Sequence, residues 1–250
     1  MSPVRVVRTA QEALDCRSWP TIACVLRSGG DYQAEDVRRL KTCVDRNLLG
    51  GHWFDCLTDE PDEVRQIPGV RAIPLENDWP GWWAKMEVYR LHGPVLYLDL
   101  DTVVLGDLAP ILQAIAEKPD AFFAIRDFYK GNLQTGLLGW GGCMTGVYDS
   151  FSRLALNATW RRSRSAWEMV TPDARYHGDA DWFRFRARKH AAPVVFLQDA
   201  VAGIVSYKVH CERHVDPPPD ARVVCFHGHP RPSLMHPAPR WISEAWGEDQ

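Results

Sequence analysis

Val95-Leu96-Tyr97-Leu98-Asp99-Leu100-Asp101-Thr102-Val103-Val104 is an apolar run interrupted twice by aspartate. Short runs rich in β-branched and aromatic residues read as strands buried on both faces. Gly93-Pro94 immediately before it is a breaker. Side chains two apart on a strand share a face, so Asp99 and Asp101 are expected to point the same way at the strand's carboxyl end. Two carboxylates side by side raise each other's pKa unless a cation sits between them. Their hard oxygens suit Mg²⁺ or Mn²⁺. The plainer alternative is a strand ending in two solvated aspartates.

Working outward, residues 21–26 read as a first strand and 28–32, with Gly29-Gly30, as its turn. A helix is expected over 34–47, where Val37, Leu40, Val44 and Leu48 recur at steps of three and four, and Gly50-Gly51 ends it. Further strands are expected at 53–57 and 70–75. Strand, helix, strand with short links argues an α/β fold with a mostly parallel sheet. Residues 82–92 fit a helix with Trp82, Met86 and Tyr89 on one stripe and Lys85 at its edge. Lys85 is either a surface lysine or a cation held near the metal, able to meet a phosphate. On the second reading Lys85→Met impairs function with little loss of stability. A helix over 107–117, a strand over 120–125, a glycine-containing stretch over 132–140 and a helix over 148–170 follow. Strands are expected at 194–197, 203–208 and 223–226, and then a proline-rich tail without regular structure until Trp241.

The chain has 250 residues, 46% of them hydrophobic, enough for one sizeable core. One domain is expected: a lead-in over 1–19, a core over 20–232 and a tail over 233–250. A formal net charge of −3 argues against a nucleic-acid binder. The basic groups Arg161-Arg162-Ser163-Arg164 and Arg184, Arg186, Arg188, Lys189 read as solvated helix faces. No apolar stretch suggests a secretory signal or a membrane span. Seven scattered cysteines with no C-x-x-C pattern suggest reduced thiols and a cytoplasmic protein. Asn157-Ala158-Thr159 is then a chance sequon.

The central run, the lysine segment before it and the closing His-Gly segment together resemble a GT-A glycosyltransferase, closest to family 8, the glycogenin and lipopolysaccharide galactosyltransferase group. The resemblance covers most of residues 21–232. Its most specific part is Tyr97-Leu98-Asp99-Leu100-Asp101, similar to the family's Y-L-D-x-D. It implies that Asp99 and Asp101 hold Mn²⁺ (or Mg²⁺) against the diphosphate of a nucleotide-sugar donor. Ala84-Lys85-Met86 resembles the basic segment that meets the donor. Asp31-Tyr32 resembles the turn that contacts the nucleobase. Gln134-Thr135-Gly136-Leu137-Leu138 stands where the family has Asn-Ser/Ala-Gly-Val-Leu, with Gln134 for Asn. Gly178-Asp179-Ala180-Asp181 is similar to Gly-Asp-Gln-Asp, and Ala180 replaces a glutamine often placed near the sugar's reacting face. Phe226-His227-Gly228-His229-Pro230-Arg231-Pro232 resembles the closing H-x-x-G-x-x-K-P, with Arg231 for Lys and Cys225 at the metal-binding histidine's position.

The implied activity is metal-dependent transfer of a sugar, from a UDP-sugar by preference, to a glycan or other hydroxyl acceptor with retention. Lys85 and Arg231 would stabilise the diphosphate as its charge grows. Imidazole suits Mn²⁺ beside two carboxylates better than a thiol does, which favours His227 over Cys225 as the third ligand. Asp179 is a candidate for the reacting centre or, alternatively, a helix N-cap; Asp181, Gln134, Gly136 and Gly228 are candidate donor contacts. Two rivals stand. Asp99-x-Asp101-x-Val103 also resembles the haloacid-dehalogenase phosphatase motif, though some 80 residues of α/β pattern precede it. Ala180 also suits a nucleotide-sugar-binding relative without catalysis.

Overall fold

A computed structural model describes residues 19–163, 166–185, 193–214 and 216–248. The lead-in up to residue 18, and Arg164, Arg186, Arg188 and Lys189 of the basic groups, lie outside the described residues. Seven strands form the main sheet in the order β11-β6-β7-β4-β1-β2-β3. They are β1 Thr21–Leu26, β2 Trp53–Thr58, β3 Val70–Pro74, β4 Val95–Leu98, β6 Phe122–Arg126, β7 Leu133–Trp140 and β11 Val194–Phe196. All pairings are parallel except those of β7, which runs antiparallel to both β4 and β6.

Alternation along β1 divides the core. Ile22, Cys24 and Leu26 face the side covered by the helix Ala34–Asn47, which buries Val37, Leu40, Cys43 and Val44. Ala23 and the half-buried Val25 face an aromatic layer containing Trp83, Tyr89, Trp140, Phe151 and Trp182. The helix starts where the Gln33 N–H donates to the Asp36 carboxylate at 2.8 Å, satisfying a free N-terminal donor. Arg240–Trp246 is a helix docked on Ala34–Asn47, with the Arg39 guanidinium 4.4 Å from the Trp246 ring centre and Trp241, Ile242 and Trp246 buried. Regular structure thus returns at Arg240, after a single 3₁₀ turn at Pro232–Leu234.

Three expectations change. The central run is not one strand: β4 stops at Leu98, and Thr102–Val104 is β5 of a second sheet, ordered β12-β13-β5 with β12 Ile204–Ser206 and β13 Val223–Cys225. Asp99-Leu100-Asp101 is the turn between them, closed by the Thr102 N–H donating to the Asp99 carbonyl at 3.0 Å. Strand alternation therefore does not govern the two aspartates. Gly81–Arg90 is a 3₁₀ helix, in which residues three apart eclipse. Every residue from Trp83 to Tyr89 is buried, Lys85 among them, while Trp82 is exposed. Third, the helix expected over 148–170 is Thr145–Ala155, and the remainder forms the antiparallel strands β8 Thr159–Arg162 and β9 Trp167–Val170, joined by β10 Arg175–Tyr176. Arg161 and Arg162 lie on β8, not on a helix face. Among the described residues no helix is long and apolar enough to cross a membrane.

Candidate active site

The site lies where β4 ends, at the carboxyl edge of the parallel strands, the customary ligand position in open α/β sheets. Two features of the sheets build it. The first is a bulge in β7. Ala124 of β6 pairs with Leu138, but the next residue, Ile125, pairs with Gln134, so Thr135, Gly136 and Leu137 leave β6. Their backbone turns to the site: the Gly136 carbonyl accepts from the Asp99 N–H at 3.0 Å, and the Thr135 carbonyl accepts from Lys85 Nζ at 3.3 Å. Gly136 also permits the carboxylate to sit close, since a Cβ there would be 3.3 Å from Asp99 Oδ2. The second feature is the antiparallel pairing of β13 with β5, Cys225 opposite Thr102. Antiparallel strands place the residues just before one beside those just after the other. Asp101 and the segment after Cys225 are thereby brought to one place.

Two charged groups meet across the turn. In the first, the buried Lys85 Nζ lies 3.0 Å from Asp99 Oδ1 and 3.2 Å from Asp179 Oδ2. Burial alone would lower the Lys85 ammonium pKa; Asp179 and Asp99 outweigh it and hold it above the ordinary range. The contact to Asp179 is ionic, because Asp179 Oδ2 is buried without a well-aligned hydrogen bond. Asp179 is the first residue of the helix Asp179–Phe185, one past the cap position, which Gly178 occupies, and its carboxylate turns to Lys85. Tyr97, which sequence reasoning treated only as part of the strand, donates its hydroxyl to Asp99 Oδ1 at 2.6 Å. Its place two residues before Asp99 was the available signal.

In the second group, Arg231 Nη1 lies 2.5 Å from Asp101 Oδ2 and Nε lies 3.4 Å from Asp31 Oδ2, while the guanidinium sits 5.0 Å from the Tyr32 ring centre. Burial and the neighbouring Asp99 push the Asp101 carboxyl up, and the pull of Arg231 does not cancel them. Burial and Asp101 likewise raise the Tyr32 hydroxyl. The structure thus brings together Asp31, Tyr32, Lys85, Asp99, Asp101, Gly136, Asp179 and Arg231.

Other candidates stand differently. Gln134 Oε1 accepts from the Thr135 N–H at 3.1 Å, a local bond within β7. Asp181 accepts from the His177 N–H at 3.1 Å and pairs with Arg184, so it braces its own helix start. Gly228 has φ +70, a conformation glycine adopts freely. His227 packs against Phe128, 5.4 Å between ring centres, and its Nε2 is buried without a hydrogen-bond partner. Burial lowers its pKa, against the opposing pull of Asp127 and Asp99. Cys225 is buried, and burial raises its thiol pKa, reinforced by Asp101 and Asp99.

A divalent ion is tested by this donor set. Among the described residues no three His, Cys, Asp or Glu side chains converge in a geometry ready for a metal, and Lys85 and Arg231 already partner the two aspartates. The chemistry nevertheless fits. Asp99 and Asp101 are two hard carboxylates, with Asp99 close enough to help raise the Asp101 carboxyl, and His227 Nε2 is an orphaned buried donor atom. A small divalent ion needs only one or two carboxylates when substrate phosphates complete its shell.

No protein-family profile matches the chain, and no curated protein matches it by sequence. Solved structures do. The galactosyltransferase LgtC, in complex with donor and acceptor sugar analogues, superposes with a TM-score of 0.62 at 15% identity, over 91% of this chain and 95% of its own. The glycosyltransferase GlyE of Streptococcus pneumoniae TIGR4 gives 0.60 at 12% identity, over 92% of this chain. The bifunctional glycosyltransferase WbbM gives 0.59 at 11% identity, also over 92%. This chain spans 60% of the length of GlyE and 50% of that of WbbM. At such identities the likeness concerns fold: the chain has the GT-A glycosyltransferase fold.

Proposed function

We propose that the chain is a metal-dependent glycosyltransferase that moves a sugar from a nucleotide-diphosphate donor, UDP-sugars favoured, to a glycan or other hydroxyl acceptor. The observation that carries this reading is the pairing of two cations, the buried Lys85 and the half-buried Arg231, with Asp99 and Asp101 on the turn at the carboxyl edge of a GT-A sheet. A nucleotide-sugar donor breaks into a sugar and a diphosphate whose negative charge grows as the bond lengthens. Fixed positive charge in a partly dehydrated cleft stabilises that growth without reorganisation. Lys85 is fixed by Asp99, Asp179 and the Thr135 carbonyl; Arg231 is fixed by Asp101 and Asp31.

Asp99, Asp101 and His227 are the residues that would hold Mn²⁺ or Mg²⁺. When bound, the ion supplies Lewis-acid neutralisation of the diphosphate. Tyr32, beneath Arg231, offers an aromatic face for the nucleobase. Asp179 steadies Lys85 beside the reacting centre. Retention follows the family 8 resemblance, and a cytoplasmic setting accords with six described cysteines that are all unpaired. The seven-stranded sheet and its GT-A likeness support sugar transfer over a phosphatase built on Asp99. Ala180 keeps a donor-binding relative without turnover as the second reading. The deciding experiment is calorimetric titration of UDP and UDP-sugars with and without Mn²⁺, followed by assays of donor hydrolysis and transfer. Metal-dependent binding with turnover supports the first reading, binding without turnover the second, and no binding of any nucleotide sinks both.

A further inference from the structure

The chain has eleven tryptophans, and all lie among the described residues. Trp82 is the most exposed of them, with 40% of its surface open, while its neighbour Trp83 is fully buried. Scattered exposed apolar residues are ordinary. Trp82 differs in how its backbone is braced and in what its side chain stands beside. Its backbone is bracketed on both sides. Gly81 has φ +56, and a Cβ there would be 3.0 Å from Trp167 Cδ1. Trp83 Nε1 donates to the Trp167 carbonyl at 2.7 Å and its ring stacks on Phe151, 5.6 Å between centres.

Trp82 also stands three residues before Lys85 in the 3₁₀ helix, so the two side chains eclipse about 6 Å apart along the axis. Its indole edge leans on Gly178: a Cβ at that glycine would be 3.7 Å from Trp82 Nε1 and 3.9 Å from Cε2. Gly178 immediately precedes Asp179, whose carboxylate is 3.2 Å from Lys85 Nζ. A half-open indole on a braced stretch of backbone therefore stands beside the residue that leads into the charged centre. His177, next along the same segment, is exposed and paired with Glu168 at 3.1 Å.

We propose that Trp82 is the platform on which the pyranose ring of the acceptor stacks, with His177 at its polar rim. A pyranose has one face of C–H bonds and a ring of hydroxyls at its edge. The indole face is electron-rich and attracts the C–H face, while neighbouring polar groups take the hydroxyls. Such an acceptor enters beside Asp179, at the end of the site away from the Tyr32–Arg231 pair. This assignment makes the acceptor a sugar rather than a protein or lipid hydroxyl, and it rests on the glycosyl-transfer reading.

The test uses the full chain with UDP and Mn²⁺ present. Methyl β-D-glucopyranoside, methyl β-D-galactopyranoside and lactose are the probes, read by saturation-transfer NMR and titration. At least one is expected to bind wild type. Trp82→Ala should weaken that probe about tenfold, while Trp82→Phe retains most of the affinity. UDP affinity, measured in parallel, should change less than about twofold, because the contacts assigned to the nucleotide are made by Tyr32, Arg231 and Lys85 and not by the indole. Pyranoside affinity unchanged in Trp82→Ala overturns the assignment. So does a loss that Trp82→Phe fails to restore, or a parallel loss of UDP and pyranoside. UDP binding to wild type with no pyranoside bound refutes the platform alone; absence of UDP binding refutes the glycosyl-transfer reading beneath it.

Discussion

Replacing Lys85 by methionine removes one charge and keeps most of the stem, and burial decides what that costs. Lys85 is 7% exposed, and its partners Asp99 and Asp179 have side chains 30% and 11% exposed. A surface lysine would be lost for a few tenths of a kcal/mol. Here Asp179 is left buried without its counter-charge, and breaking a buried pair in this way costs about 3 kcal/mol. The water open to Asp99 keeps the figure at the lower end of the range. For a domain of this size that corresponds to a fall in Tm of roughly 6–12 °C. The expectation that Lys85→Met would spare stability is therefore reversed by the structure. Asp179→Asn on top of Lys85→Met removes the stranded charge and should recover about half of the loss. Urea unfolding of the single and double variants, with unchanged m-values, measures both. A Lys85→Met protein melting within about 2 °C of wild type, or a double variant less stable than the single, would refute the reasoning.

Asp101→Ala should abolish Mn²⁺-dependent UDP binding, as should excess chelator on the wild type, with Mn²⁺ restoring it; full binding in chelator contradicts the assigned ligands. His227→Ala should weaken metal-dependent donor binding, and Cys225→Ser should leave it nearly unchanged, since a buried thiol is poorly matched to an oxygen-rich ion; titration of both variants decides, and the reverse order counts against His227. Gly136→Ala places a methyl 3.3 Å from Asp99 Oδ2, so Asp99 must shift slightly. Several-fold weaker donor binding at near-normal Tm is the expected result, and unaltered binding would show that the carboxylate's position is not critical.

Much of the fold was legible because its signals are local. The helix Ala34–Asn47 and strand β1 follow from apolar spacing and their breakers, and the structure reproduces both spans. The run from Val95 to Val104 was misread as one strand because β4 and β5 are both apolar and the turn between them contains no glycine or proline. What separates them is tertiary: β13, some 120 residues later in the chain, takes β5 into another sheet. Lys85 looked like a rim residue of an amphipathic helix, but the segment is buried on every side from Trp83 to Tyr89, and Lys85 with it. Asp99, Asp101 and Arg231 were named from their motifs. The pairings among the candidates were not legible, because Asp101–Arg231 and Lys85–Asp179 are contacts between distant parts of the chain that no local pattern encodes. Trp82 was placed in the apolar stripe, whereas its neighbour Trp83 takes that position.

The small sheet that brings Arg231 to Asp101 is only three residues deep at each pairing, and neither β5 nor β13 is bonded into the seven-stranded sheet. Short pairings of this kind open with less free energy than the whole molecule needs to unfold. Opening β13 would release Arg231 from Asp101 while β4 and β1 stay paired. Ligands that engage both sides of the turn then act as a latch on this clasp. In hydrogen exchange, the amides of Val223, Val224 and Cys225 should exchange well before those of Ile22 and Leu96, and UDP with Mn²⁺ should slow the first set while leaving the second untouched.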